Sequence, residues 1–430
     1  MRPKNGMNRI TRLASSSAMI ALALAAMTPA LAQPPSAQRS NGQSNNNAPP
    51  PVDVATAKAL NAAIDALNMG KYDEARAALA PLKIDKLSPY EHSRLEQVLS
   101  NVAAAQEKYD EARAHIDNAI EAGGLNEQET SDLRYQIAQL FMAEGNWKAG
   151  AATLEEWFKT APNPNAAAFY LLAAAYYQSE DYERALAPAK RAVELMATPQ
   201  ENWIGMLLAL YVQREQFKDA IPLLLRLIEL APDKKTYWVQ LSAIYGQVDD
   251  YANALAIMQL AYGAGLLTED AEIRRLADLQ LFNGIPYRCG QLLESSIERR
   301  SVNVDDKLLD KLANCWIAAG ELEKALPPLA REAEITGSGE TFVRLAEVHL
   351  QRSDWPAAQN ALERAINKGQ LKDVANAQVL LGLALLSQHK LAEARPWFER
   401  AQQSEKHRQT AKSYLQLIDS QIAAVHPLPK

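Results

Sequence analysis

The chain of 430 residues has only two cysteines and six histidines. Cys289 and Cys315 lie 26 residues apart and cannot build a metal cluster by themselves. No two of His92, His115, His349, His389, His407 and His426 share the spacing of a zinc protease. Gly145 and Gly150 have the gap of a phosphate loop, but Ala151 and Ala152 stand where a lysine and a hydroxyl are required. A Gly-x-Ser-x-Gly elbow and a calcium-loop pattern are both missing. Paired acids such as Asp249–Asp250 and Glu155–Glu156 read as turn and solvated-face residues. No cofactor or metal is therefore expected, and an enzymatic role ranks behind a binding role. Lysine and arginine are dispersed and outnumbered, 45 against 51 acids. That balance disfavours nucleic acid and anionic membrane surfaces, which reward basic patches. No apolar run reaches the roughly 20 residues that span a bilayer.

What the sequence does contain is a period. An aromatic–x–x–Ala pair recurs roughly every 35 residues, the mark of a solenoid. It appears as Tyr72…Ala75, Tyr109…Ala112, Tyr182…Ala185, Phe217…Ala220, Tyr251…Ala254 and Trp355…Ala358. Leu322…Ala325 and Leu391…Ala394 repeat it with leucine, and Trp147…Gly150 and Tyr287…Gly290 with glycine. Nine residues before the ring stands a second small residue in most copies: Ala63, Ser100, Ala138, Ala173, Ser242, Ala313, Ala346 and Gly382. Large rings follow three residues after it at Phe141, Tyr176, Tyr211, Tyr245 and Trp316. Spacings of three, four and seven define one face of a helix. Small residues at a crossing let two helices approach, and a ring fills the space beside them. Each copy reads as a helical hairpin. The seventh fits with its first helix shifted by one, so that Ala277 rather than Asp278 is the small residue and the turn Asn283–Pro286 gains a residue. Ser88-Pro89-Tyr90-Glu91 and Thr198-Pro199-Gln200-Glu201 read as hydroxyl caps that open new hairpins.

Ten such copies in phase resemble the tetratricopeptide repeat, from Thr56 onward. The resemblance implies an all-α fold: an α-solenoid, a right-handed superhelix of about ten hairpins over residues 53–405. A capping helix within 406–430 would close it, with Tyr414, Leu415, Ile418 and Ile422 facing the last hairpin. Trp147, Trp238, Trp316 and Trp355 occupy the repeat's own ring positions and read as core. A stacked array of this kind exposes a long concave surface, which suits binding.

The N-terminus carries an address. Arg2, Lys4, Arg9 and Arg12 precede an apolar run from Ala18 to Met27, and Ala30-Leu31-Ala32 follows. This pattern reads as a secretory signal peptide over residues 1–32 and predicts a periplasmic protein. Its removal leaves 41 basic residues against 51 acids, a net charge of −10. Residues 33–52, rich in proline and asparagine, read as a disordered tether. Asp53 stands ready to cap the first helix.

The resemblance also implies which residues meet a ligand: the second, fifth, ninth, twelfth and thirteenth of each first helix. In hairpins four to six these include Tyr170, Tyr177 and Gln178, then Asn202 and Gln213, then Gln247. Glutamine amides can donate to and accept from an extended peptide. Equally, glutamine is simply a good residue for a helix end. The expected partner is an extended protein segment. Architecture, length and export signal resemble the periplasmic repeat proteins that accompany TonB–ExbB–ExbD systems in Gram-negative bacteria. A glycan-binding adaptor in envelope assembly is the alternative, and an enzyme with an unrecognised site comes third. Cys289 and Cys315 fall on neighbouring antiparallel helices. They admit either a disulfide, available to an exported chain, or two separate buried thiols.

Overall fold

The structure, a computed structural model, describes residues 50–161 and 163–425. The expected signal peptide, most of the tether and the last five residues lie outside the described residues. Within them the chain is entirely helical. Two compact units meet at Leu230–Ala231.

The first unit holds five hairpins. They are α1 (Val54–Asn68) with α2 (Tyr72–Leu79), α3 (Pro89–Ala105) with α4 (Tyr109–Glu121), and α5 (Glu127–Ala143) with α6 (Trp147–Thr160). Then follow α7 (Ala166–Gln178) with α8 (Tyr182–Glu194) and α9 (Glu201–Gln213) with α10 (Phe217–Leu230). The second unit holds five more. They are α11 (Lys235–Gln247) with α12 (Tyr251–Gly263), α13 (Asp270–Phe282) with α14 (Pro286–Glu298), and α15 (Asp306–Ala318) with α16 (Leu322–Thr336). Last come α17 (Gly339–Gln351) with α18 (Trp355–Lys368) and α19 (Val374–Ser387) with α20 (Leu391–Ala401), closed by α21 (Arg408–Val425).

In nine of the ten hairpins the ring or leucine that marks the period is the first residue of the second helix. The small residues sit at the crossing: Ala63, Ala138, Ala173, Ala313 and Ala346 in first helices, and Ala75, Ala112, Ala185, Ala220, Ala254, Ala325, Ala358 and Ala394 in second helices, are all fully buried. Where serine takes the first-helix place its hydroxyl donates across the crossing. Ser100 Oγ bonds the Ala112 carbonyl and Ser242 Oγ the Ala254 carbonyl, each at 2.9 Å. Glycine serves the same end in hairpin ten, where a Cβ on Gly382 would come within 2.7 Å of the Phe398 ring.

The turns inside the hairpins are equally regular. Two places beyond the end of each first helix stands a residue with φ between 56° and 82°: Gly70, Glu107, Gly145, Glu180, Glu215, Asp249, Gly284, Gly320, Ser353 and His389. The next N–H reaches back five places to a carbonyl, from Lys71 to Ala66 and so on through Lys390 to Leu385, at 2.8–3.0 Å in all ten. This is the Schellman closure, which satisfies the last free carbonyls of the helix and reverses the chain. Asn146, Asp181, Asp250 and Asp354 then cap the following helix with their side chains.

Three expectations are corrected. The seventh turn gains no residue. Gly284 takes the left-handed place and Ile285 N–H bonds the Gln280 carbonyl at 3.0 Å, as in every other hairpin. Pro286, whose φ suits a first helical position, stands where the ring normally stands. Ala277 does occupy the small place, but its partner is Cys289 rather than Gly290; both are fully buried. Second, Ser88 does form a capping box with Glu91, but Thr198 caps nothing. Pro199 is buried, the segment stays extended, and α9 starts two residues later at Glu201. Third, α21 packs through Ala411, Tyr414, Leu415 and Ile418, while Ile422 is 40% exposed. The helix α21 has 18 residues against 11 in α20, so its last turns run past the surface that could cover them. Asp53 caps α1, accepting from the Ala55 and Thr56 N–H groups.

Candidate functional site

The helix α7 reads AAAFYLLAAAYYQ and is capped by Asn165, whose side chain accepts from the Ala168 N–H at 2.9 Å. Tyr170 and Tyr177 lie seven apart, hence on one face, and both are half-buried. Ala174 between them is covered. The Tyr170 ring stacks on Trp203 of α9, centroids 4.8 Å apart and planes within 13°. Asn202 Nδ2 donates to the Tyr170 hydroxyl at 3.5 Å. Fourth and fifth hairpins are thus tied together at the position where the resemblance puts ligand contacts. Tyr177 meets the ring of Tyr182 edge-on at 5.3 Å.

Burial pushes the Tyr170 hydroxyl up in pKa, partly offset by its hydrogen bond with Asn202. Burial, then the neighbouring Tyr182, raises Tyr177. Both phenols therefore stay neutral at physiological pH, able to donate and accept. The tyrosine behind each glutamine is core in this unit: Tyr176 is 5% and Tyr211 9% exposed. The Tyr176 hydroxyl donates to the Glu155 carboxylate, and Arg184 lies over its ring.

Gln178 and Gln213 are the last residues of α7 and α9. Gln178 is half-buried and Gln213 exposed. Gln247 ends α11 in the second unit and is also exposed. No hydrogen bond joins any of these three side chains to another described residue. The structure therefore brings Tyr170 and Asn202 together and leaves the glutamine amides open. Trp203, the residue that backs the stack, is absent from the sequence reading. Its only signal is a ring next to Asn202 at the start of a helix, outside the ring positions that define the period.

Of the tryptophans read as core, Trp316 is 1% exposed. Trp147, Trp238 and Trp355 are half-buried, and Trp238 Nε1 donates to the Pro232 carbonyl at 2.9 Å. Cys289 on α14 and Cys315 on α15 form a disulfide with Cα atoms 5.7 Å apart. Among the described residues no group of three or more ligands could hold a metal ion. No helix among them is long and apolar enough to cross a membrane.

Comparison with known proteins agrees with this architecture. Residues 98–163, 135–201 and 343–408 match the tetratricopeptide repeat family. No curated protein matches the chain. Among solved structures, a tetratricopeptide repeat protein from Parabacteroides merdae is 13% identical, with a TM-score of 0.36. The match covers 61% of this chain and 98% of that one. YrrB, described as a repeat protein with an unusual peptide-binding site, is 16% identical at a TM-score of 0.34 and covers 43% and 88%. MamA from Desulfovibrio magneticus RS-1 is 17% identical at 0.33, covering 40% and 94%. Residues 98–201 and 343–408 are therefore tetratricopeptide repeats, flanked by hairpins built on the same small residues and the same turns.

Proposed function

We propose that this protein is a non-enzymatic scaffold that holds an extended segment of a protein partner along the first helices of its fourth and fifth hairpins. The observation that carries the reading is the pair Gln178 and Gln213. They end successive first helices, and their amides have no partner among the described residues. An extended chain offers alternating N–H and C=O groups that such amides can satisfy. Tyr170 and Tyr177 add rigid contact area beside them, as aromatic anchors do at interfaces. A glycan would need a ring face open to it. Trp203 is only 8% exposed, so the Tyr170–Trp203 stack favours the peptide over the sugar. The N-terminal pattern of basic residues, short apolar core and Ala30-Leu31-Ala32 supports export to the periplasm. There the protein would serve an envelope system of the TonB–ExbB–ExbD kind.

The test is capture of partners from a periplasmic extract by the immobilised protein, read by mass spectrometry. The variant Gln178→Ala/Gln213→Ala should lose the captured partner while its helical circular dichroism stays unchanged. Each lost hydrogen bond should weaken binding by about 1 kcal/mol. Gln247→Ala forms a separate arm. Full capture by the double variant would place the binding surface elsewhere.

A further inference from the structure

Arg275 of α13 is half-buried and has no hydrogen bond or ion pair among the described residues. The other arginines as well covered in the second unit all have an acceptor. Arg274 bonds Asp270 at 2.7 Å, Arg344 bonds Asp310 at 2.5 Å, Arg364 bonds Glu334 at 2.6 Å, and Arg395 bonds Asp419. In the first unit Arg76 pairs with Glu111, Arg113 with Glu144, and Arg226 with the Ala197 carbonyl. A guanidinium keeps its charge in a protein, so covering one without an acceptor is costly. Burial alone pushes the Arg275 pKa down, and no neighbouring charge opposes it.

The fold explains the missing partner. Arg275 stands two places before the small residue Ala277, as Gln136 does before Ala138, Lys311 before Ala313 and Arg344 before Ala346. Each of those three reaches back to the preceding first helix. Gln136 donates to Asn101 at 3.1 Å, Lys311 bonds Asp278, and Arg344 bonds both Asp310 and Asn314. The corresponding places on α11 hold Val239 and Ala243, which offer no side-chain acceptor. The acids within one turn of Arg275 on its own helix are engaged elsewhere. Asp278 bonds Lys311, and Glu272 accepts from Lys235 at 2.9 Å and from the Glu269 N–H at 3.0 Å. The chain thus supplies a half-buried guanidinium and no oxygen to meet it.

We propose that Arg275 receives the side-chain carboxylate of an aspartate or glutamate in a bound protein segment. A planar carboxylate matches both arms of the guanidinium fork. First helices flank α13 on either side in the same unit, α11 before it and α15 after it. An extended segment therefore runs past Arg275 and presents a side chain to it rather than its end. The inference rests on the reading of the protein as a scaffold for an extended segment and adds the class of side chain it selects. Saturation-transfer NMR on the purified protein tests it with three probes: acetyl-Ala-Ala-Glu-Ala-Ala-amide, its glutamine counterpart, and acetyl-Ala-Ala-Gln-Ala-Ala with a free C-terminal carboxylate. The glutamate peptide should bind roughly ten-fold more tightly than its glutamine counterpart. Arg275→Gln should remove that preference. Ala243→Asp should remove it too, by supplying the acceptor within the chain, and the circular dichroism of both variants should stay unchanged. Arg331→Gln, at an exposed arginine of the same unit, should leave the preference intact. Equal binding of the glutamate and glutamine peptides overturns the proposal, as does a preference that survives Arg275→Gln or one shown only by the free-terminus probe. Should the preference fail while Gln178→Ala/Gln213→Ala still weakens partner capture, the Arg275 assignment falls and the scaffold reading stands. Should it hold while that double variant captures in full, the site on hairpins four and five falls and the Arg275 assignment stands.

Discussion

Gly290 of α14 lies directly against the indole of Trp316 on α15: a Cβ built on Gly290 would sit 2.6 Å from ring atoms Cδ2 and Cε2. Real Cβ atoms do not approach so closely, and Trp316, 1% exposed, has nowhere to move. Gly290→Ala should therefore destabilise the second unit by about 1–3 kcal/mol, the usual cost of overpacking. Gly246, inside α11, has nothing within 4 Å of its own Cβ site. Gly246→Ala should be neutral or stabilise by up to about 1 kcal/mol through helix propensity. Urea unfolding of both variants separates the two effects. Equal shifts of the midpoint would mean that the Trp316 contact does not constrain the position.

The same logic applies to the turns. Glu180 adopts φ 62°, where a side chain collides with its own backbone at a cost of roughly 1 kcal/mol. Glu180→Gly should remove that strain and leave stability unchanged or slightly higher, despite glycine's greater unfolded-state entropy. At Gly145, φ 82° and free of neighbours within 4 Å, Gly145→Val should cost more than about 1 kcal/mol from backbone strain alone. Thermal midpoints of the pair are the readout: that of Gly145→Val should fall, and that of Glu180→Gly should hold or rise slightly.

Cys289 and Cys315 should yield no titratable thiol in denaturant without reductant. Reduction, or Cys289→Ala/Cys315→Ala, should weaken the second unit by up to about 3 kcal/mol through the loop of intervening residues it releases. Two reactive thiols per chain under oxidising export would remove the bond from the native protein.

Asp373 ties the closing helix to hairpin ten. Its carboxylate accepts from Lys406 Nζ at 2.7 Å, from His407 Nε2 at 2.9 Å and from the Asn376 N–H at 2.9 Å. Hydrogen bonds with Lys406, then His407, then the Asn376 N–H hold it well below the usual carboxylate range. A depressed folded pKa contributes stability that is full above the unfolded value of about 3.9 and fades as pH falls toward the folded one. Acidification below about pH 4 should therefore loosen α21 first, and Asp373→Asn should loosen it already at pH 7. Hydrogen exchange across residues 408–425 measures both. Uniform protection in the variant would mean that Ala411 and Ile418 hold the helix unaided.

The repeat was legible in the sequence because its physics is local. A small residue at the crossings, a ring or leucine at the start of nine of the ten second helices and a short turn recur with the period. Ten hairpins with their boundaries follow from that pattern; Ala63, Ala75, Ala173 and Ala185 fall at the crossings as read. Tyr170, Tyr177, Gln178, Asn202 and Gln213 could be placed on first helices for the same reason. Other features depended on atoms brought together from a distance. Glutamate is not a residue that announces a left-handed turn, yet Glu107, Glu180 and Glu215 adopt one because the hairpin closure imposes it. Pro286 displaced the ring of the seventh hairpin by one place, which only the closing bond from Ile285 to Gln280 reveals. The Tyr170–Trp203 stack joins two hairpins, and Arg275 lacks an acceptor because Val239 and Ala243 hold the acceptor places on the first helix before it. Each of these residues looks like an ordinary helix-face or core residue in the chain. Their roles arise from packing between hairpins, which sets burial, and burial decides which polar atom is left without a partner.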